Sequence, residues 1–208
     1  MPVASPQYPV NLVLTGRRCL VVGGGRVAAR KVEGLVVAGA DVTVVAPQVV
    51  DAIRAAGVRV EERGYERGEA GRYHLVVTAT GSAPVNQEVY DDADAARVWV
   101  NSADDPERCS FTLPAVVRRG PLLVAVSTAG HSPAVASWLR EHLDREIGPE
   151  YETLVAMLSD ERLSLQAEGR STENLDWRSA LDSDMLDLIR EGRIPEARER
   201  LKACLSSS

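Results

Sequence analysis

A chain of 208 residues, 45% hydrophobic and 26% charged, has enough apolar material for a core, which excludes disorder as its main state. Its formal net charge of -6 opposes nucleic acid and anionic lipid surfaces as partners. No apolar run approaches the ~18 residues of a membrane span, and Met1-Pro2-Val3-Ala4-Ser5-Pro6 lacks the basic and apolar regions of a secretory signal.

In chain order, Arg18-Cys19-Leu20-Val21-Val22 predicts a buried strand ending at Gly23. Arg26 to Ala38 places Val27, Val32, Leu35 and Val36 at helical spacing, with Gly39 as the expected stop. Val42 to Val45 predicts a second strand, followed by Pro47 and a short helix through Ala56. Val58 to Glu61 alternates like a third strand, near the sheet's edge. Leu75 to Thr78 is a fourth and Val98 to Asn101 a fifth, with a helix over Asn86 to Arg97 between them. Strand alternating with helix predicts a parallel sheet with helices on both faces.

The pattern changes after Asn101. Phe111 to Val117 and Leu122 to Val126 are strand-like runs joined by Arg118-Arg119-Gly120-Pro121, which predicts an antiparallel hairpin. Ser132 is the expected N-cap, and Pro133 the first position, of a helix running to Glu146. From Glu150 the pattern is helical, with Tyr151, Leu154, Val155 and Leu158 marking one buried face. Gly169 to Asn174 is a polar break. Met185, Leu188 and Ile189 begin another apolar face, and a last helix spans Pro195 to Leu205.

Gly23-Gly24-Gly25-Arg26-Val27-Ala28 matches G-x-G-x-x-G/A and lies between a predicted strand and a predicted helix. Gly23 permits the tight turn, Gly25 lets backbone approach a pyrophosphate, and Ala28 allows close helix–strand packing. The helix N-terminus then offers N–H groups and partial positive charge to the phosphates. A glycine turn that binds nothing is the competing reading, and the strand–helix context weighs against it. The carboxylate that usually ends the second strand of an NAD site is missing. That strand ends Val44-Val45-Ala46-Pro47-Gln48, and Asp41 sits at its other end. Ribose contacts must come from backbone or from Gln48, so this rule leaves NAD versus NADP open; that no arginine immediately follows to meet a 2′-phosphate speaks for NAD. Cofactor contacts are expected from Gly23, Gly25, Arg26, Val27, Pro47, Gln48, Thr80 and Gly81.

Several blocks occur in a recognisable order: Gly23-Gly24-Gly25-x-Val27-Ala28-x-Arg30-Lys31, Val42-Thr43-Val44-Val45-Ala46-Pro47, Asn101-Ser102-Ala103-Asp104-Asp105-Pro106, Phe111-x-x-Pro114 and Ser127-Thr128-x-Gly130-x-Ser132-Pro133. In these the chain resembles the N-terminal module of sirohaem synthases and the free-standing precorrin-2 dehydrogenases, over roughly residues 8 to 149. The N-x-x-D-x-P and S/T-x-G-x-S-P blocks are more specific than the glycine fingerprint. The resemblance implies NAD-dependent oxidation of precorrin-2 to sirohydrochlorin, with insertion of ferrous iron as an added activity of some members. It places the essential carboxylate on Asp104, substrate contacts on Asn101, Thr128, Gly130 and Ser132, and a homodimer interface within 113–149. The expected architecture is α/β. A Rossmann-like parallel sheet spans 1–112, a small α+β dimerisation segment 113–149, and a helical C-terminal domain 150–208. The chain ends where a fused sirohaem synthase would continue into a methyltransferase, so that activity is not expected.

From the residues alone, Asp104 follows the fifth strand at the carboxyl edge of the sheet, where ligands bind, and can accept a proton there. Asp104-Asp105-Pro106 is also good turn chemistry, with Asp105 read as the turn residue. The helix opened by Ser132 and Pro133 can hold a substrate carboxylate or simply be capped. Arg118 and Arg119 are either contacts for a polycarboxylate or solvated turn residues. The 24 basic residues include only Lys31 and Lys202 as lysines, a bias that reads as compositional or as carboxylate recognition. His131 is a candidate proton shuttle against an incidental loop histidine, and His74 and His142 have no recognisable partner. The scattered Cys19, Cys109 and Cys204 argue against a disulfide framework and for a reducing, cytoplasmic compartment. No clustered His, Cys or carboxylate motif is present, so no dedicated protein metal site is expected. Two other functions compete: a different Rossmann oxidoreductase, for which no Tyr-x-x-x-Lys pair exists, and a dinucleotide-sensing regulatory module, which leaves Asp104 without a role.

Overall fold

The structure, a computed structural model, describes residues 6–103, 105–173 and 175–206. Two compact units divide the chain: one runs to Leu113 and takes in Ala129–His131, and the other holds Pro114–Thr128 and the residues from Ser132 onward.

In the first unit, β1 (Arg18–Val22), β2 (Asp41–Val45), β3 (Arg59–Glu61), β4 (Leu75–Thr78) and β5 (Trp99–Ser102) form a parallel sheet in the order β3-β2-β1-β4-β5. Helices α1 (Arg26–Val37), α2 (Asp51–Ala55) and α3 (Ala83–Ala95) provide crossovers. Strands buried on both faces carry near-continuous apolar runs, as Cys19 to Val22 and Val42 to Val45 do. One face packs Val21, Val44 and Val77 with Ala28, Val32 and Leu35 of α1; the other packs Leu20, Val22, Val45, Val76 and Val100 with Val89 and Ala93 of α3. The register sets Glu61, Val45, Val22, Thr78 and Ser102 in one row at the carboxyl ends of the strands.

Two expectations shift here. The buried stripe of α1 is Ala28, Val32 and Leu35, spaced i, i+4, i+7, while Val36 is left exposed. Helix α3 starts at Ala83 rather than Asn86, because Ser82 and Pro84 together make a good helix opening.

The second unit begins with a hairpin of β6 (Ala115–Arg119) and β7 (Leu122–Val126), with Arg119 opposite Leu122. Strand β6 starts four residues later than expected and ends two later. Pro114 has no N–H for a ladder, and Asn101 instead forms an antiparallel bridge with Cys109. Then follow α4 (Pro133–Glu146), α5 (Glu150–Ala167), α6 (Trp177–Leu181), α7 (Met185–Arg190) and α8 (Ile194–Ser206). Helices α5 to α8 share a core that includes Leu154, Met157, Leu165, Met185, Leu188, Ile189 and Leu201. Met157, not Val155, is the buried neighbour of Leu154, so the apolar stripe of α5 is rotated from the expected one. Helix α6 was not expected; Asp176 caps it by accepting a hydrogen bond from the Ser179 N–H at 2.9 Å. Among the described residues, no helix is long and apolar enough to cross a membrane.

Candidate functional site

Strand order in the first unit reverses between β1 and β4, and ligands of such sheets bind in the crevice beyond the carboxyl ends at that point. The glycine turn fills the floor of this crevice. Gly23 has φ +130°, and a Cβ there would stand 2.4 Å from the Ala79 carbonyl oxygen, so only glycine fits. Gly24 is packed more tightly still: a Cβ would lie 1.8 Å from the Gln48 carbonyl oxygen, and the Gly24 carbonyl accepts from Val50 N at 2.9 Å. Gly25 is different. It is the N-cap of α1 with extended backbone, no side chain caps that helix, and a Cβ would meet nothing within 4 Å. Open space thus lies before the first N–H groups of α1, which have no intrahelical partners. This is the cradle a pyrophosphate requires, and the residues fit a dinucleotide.

Gly24, the middle residue of the fingerprint, is the one sequence reasoning left without a role. Gly24→Ala should destabilise the ligand-free protein by about 1–3 kcal/mol, because backbone on both sides must move. Denaturant unfolding with a midpoint equal to the wild type's would contradict this packing argument.

The remaining expected cofactor residues surround this cradle. Arg26 is exposed at the first position of α1, and Val27 is half-buried behind it. Pro47 and Gln48 are exposed beyond β2, with the Gln48 carbonyl turned to Gly24. Thr80 and Gly81 form the turn after β4. The Thr80 hydroxyl lies 2.6 Å from Asn86 Oδ1, while Gly81 is exposed with open space around it. Arg63, just beyond β3, is committed elsewhere: its guanidinium contacts both oxygens of the buried Glu69, at 3.0 and 2.7 Å, and Glu61 at 2.5 Å. These carboxylates hold the Arg63 guanidinium firmly in its charged form.

Asp104 lies outside the described residues, but its two neighbours are well tied. Ala103 N donates to the Thr78 carbonyl at 2.9 Å, continuing the row at the strand ends. Asp105 caps the 3₁₀ turn Pro106–Arg108, accepting from Glu107 N at 3.0 Å, and pairs with Arg108. Arg108 in turn donates to Gln87 Oε1 at 2.6 Å. Asp105 is therefore the turn residue. Asn101 is buried, and its amide donates to the Phe111 carbonyl at 3.0 Å, closing the loop between β5 and Phe111. Cys109 Sγ sits 3.3 Å from Ser102 N inside that loop, and burial pushes its thiol pKa up. It behaves as a packing group.

In the second unit, Thr128 and Ser132 come together. The Thr128 hydroxyl accepts from Ser132 N at 3.2 Å, and Ser132 Oγ caps α4 by accepting from Val135 N at 3.3 Å. Gly130 and His131, which group with the first unit, take a left-handed conformation (φ +79°) and an exposed position respectively. Arg119 is no solvated turn residue: it donates to the carbonyl and the carboxylate of Asp144 at 2.8 and 2.9 Å, tying the hairpin to α4. Arg118 is exposed. His142 has a partner after all, stacking on Trp138 with centroids 5.9 Å apart. Among the described residues, no three His, Cys, Asp or Glu side chains are grouped to hold a metal ion.

Comparison with known proteins agrees with this geometry. The family described as putative NAD(P)-binding matches residues 10–115, and the family described as sirohaem biosynthesis protein central matches residues 119–146. The chain is 36% identical over 206 residues to the siroheme synthase of Nitrosococcus oceani, covering 96% of this chain and 44% of the relative. It is 37% identical over 206 residues to that of Thioalkalivibrio sulfidiphilus, covering 96% and 42%. The chain thus spans less than half the length of these curated relatives. A solved structure described as SirC, precorrin-2 dehydrogenase, superposes with a TM-score of 0.68 at 28% identity, covering 95% of this chain and 98% of that one. The chain belongs to the family of sirohaem synthase N-terminal modules and precorrin-2 dehydrogenases, with an NAD(P)-binding domain followed by a sirohaem-biosynthesis central segment.

Proposed function

We propose that this chain oxidises precorrin-2 to sirohydrochlorin, with NAD as hydride acceptor and Asp104 as the acid–base residue. The observation that carries this reading is the open space at Gly25, before the uncapped start of α1, on the same sheet edge whose fifth strand leads into Asp104. When bound, the dinucleotide supplies the hydride acceptor; the chain's own residues hold it and move the proton. Backbone amides at the start of α1 meet the pyrophosphate, and the Thr80-Gly81 turn faces it across the crevice. Asp104 takes the proton that leaves the tetrapyrrole as hydride departs. That Asp105 is occupied as a cap supports Asp104 for this task.

NAD rather than NADP is supported by the state of Arg63, whose donors are spent on Glu61 and Glu69 instead of facing a 2′-phosphate. Incubating the purified chain with precorrin-2 and each dinucleotide tests both points through absorbance of the reduced cofactor. Absence of reduced cofactor with either dinucleotide would overturn the activity, and a preference for NADP would overturn the cofactor choice. Adding ferrous iron to the same reaction reads out sirohaem formation.

A homodimer built on residues 113–149 is part of this proposal. Within the second unit, Val116 on β6 and Val135 and Trp138 on α4 are exposed, Trp138 by 62%. Such a surface suits a symmetric contact between copies. Sedimentation at micromolar concentration should show a dimer, and Trp138→Glu should shift it toward monomer. A wild-type protein that sediments only as monomer would refute it.

A further inference from the structure

The turn between β4 and α3 is held by one side chain with no assigned role. Asn86 sits at the fourth position of α3, where asparagine is a poor helix former. Its Oδ1 accepts from the Thr78 hydroxyl at 2.5 Å and from the Thr80 hydroxyl at 2.6 Å. Its Nδ2 donates back to the Thr80 carbonyl at 3.2 Å, and its backbone N–H donates to the Ser82 carbonyl at 3.0 Å. Ser82 N closes the set on the Thr80 hydroxyl at 3.1 Å. Both ends of the amide are thus spent on fixing Thr80 to the strand before it and the helix after it.

The turn so fixed is not remote. Ala79 N donates to the Val22 carbonyl at 2.8 Å, and the Ala79 carbonyl presses on Gly23 so closely that no side chain fits between. The Thr80-Gly81 backbone and the glycine turn are the two walls of one crevice. We infer that Asn86 is a positioning residue for dinucleotide binding, holding the Thr80-Gly81 wall at the distance set by Gly23. This rests on the dinucleotide reading above. Asn86 itself touches no ligand: it acts through Thr80, and Thr78 is the anchor on its far side.

The test uses the full chain and three variants: Asn86→Ala, Thr78→Val and the double variant. NAD affinity is read by calorimetry, the ligand-free fold by thermal unfolding, and kcat and KM by NADH formation. Asn86→Ala should raise the NAD dissociation constant about tenfold, the equilibrium equivalent of one net hydrogen bond. Its kcat at saturating NAD and its KM for precorrin-2 should stay near wild type. Thr78→Val keeps the shape and removes one donor, so a severalfold loss is expected. The double variant should be no worse than Asn86→Ala alone, because both act through one network. Unchanged NAD affinity in folded Asn86→Ala, or additive losses in the double variant, would overturn the inference. Should Asn86→Ala fail to fold, Thr78→Val decides: weaker NAD binding supports the network, and wild-type affinity rejects it. If the wild type binds no NAD, the functional reading and this inference fall together.

Discussion

Asp104→Asn should lower the rate of NADH formation from precorrin-2 by roughly 10²–10⁴-fold while leaving NAD affinity and folding intact. Loss of hydride from a reduced tetrapyrrole builds positive charge at the reacting carbon and acidifies the adjacent proton. A carboxylate stabilises that charge and accepts that proton, whereas an amide of the same size does neither. The substitution keeps most hydrogen-bonding capacity, so the loop from Ala103 to Phe111 should hold. Its clamps, Asn101 to the Phe111 carbonyl and Ala103 N to the Thr78 carbonyl, do not use residue 104. Asp105→Asn is the matched control. It weakens the pairing with Arg108 but leaves the cap on Glu107 N, and should cost far less. Near-normal turnover of Asp104→Asn would remove Asp104 from the mechanism, and collapse confined to Asp105→Asn would move the role to its neighbour.

Gly25→Val should abolish measurable NAD binding, a loss of roughly a hundredfold or more in affinity, in a protein that unfolds like the wild type. Gly25 has φ -87° and ψ -173°, ordinary extended backbone for valine, and no atom lies within 4 Å of its Cβ position. The first carbon of the added side chain therefore enters open space. The side chain stands where phosphate oxygens must reach the N–H groups of α1. Adjacent glycines of one motif thus separate two roles: Gly24→Ala is paid in stability, Gly25→Val in binding. Calorimetry showing undiminished affinity in Gly25→Val would place the dinucleotide elsewhere.

The bounds of β1 and β4 were legible to the residue, because β-branched runs ended by glycine or polar residues leave little choice. So was the strand–glycine–helix context of the cofactor cradle. Other features depend on partners distant in sequence. The rotation of the α5 stripe from Val155 to Met157 follows from packing against α7 and α8, which periodicity within one helix does not contain. The return of Cys109 to β5, through its bridge with Asn101, is a contact that no local pattern announces. Helix α3 and helix α6 were underread although their openings, Ser82 with Pro84 and Asp176, were present in the sequence. Asn86 was passed over as an ordinary helix residue, since its meaning lies in two threonine hydroxyls brought to one oxygen by the turn.

The same bridge at Cys109 has a consequence for how the chain behaves in a crowded solution. An outer strand normally presents a row of unpaired N–H and carbonyl groups that another chain can extend into a continuous sheet. Beyond β5, Ser110 N donates to the Val100 carbonyl at 2.8 Å and Ser110 Oγ accepts from Val100 N at 2.7 Å, beside the Asn101–Cys109 bridge. At the opposite edge β3 is only three residues long and flanks Val60 with Arg59 and Glu61. One border is sealed by the chain's own return and the other is too short and charged to template growth. The central sheet is thereby protected against strand-by-strand aggregation, a safeguard that the loop carrying Asp104 provides as a by-product of its own anchoring.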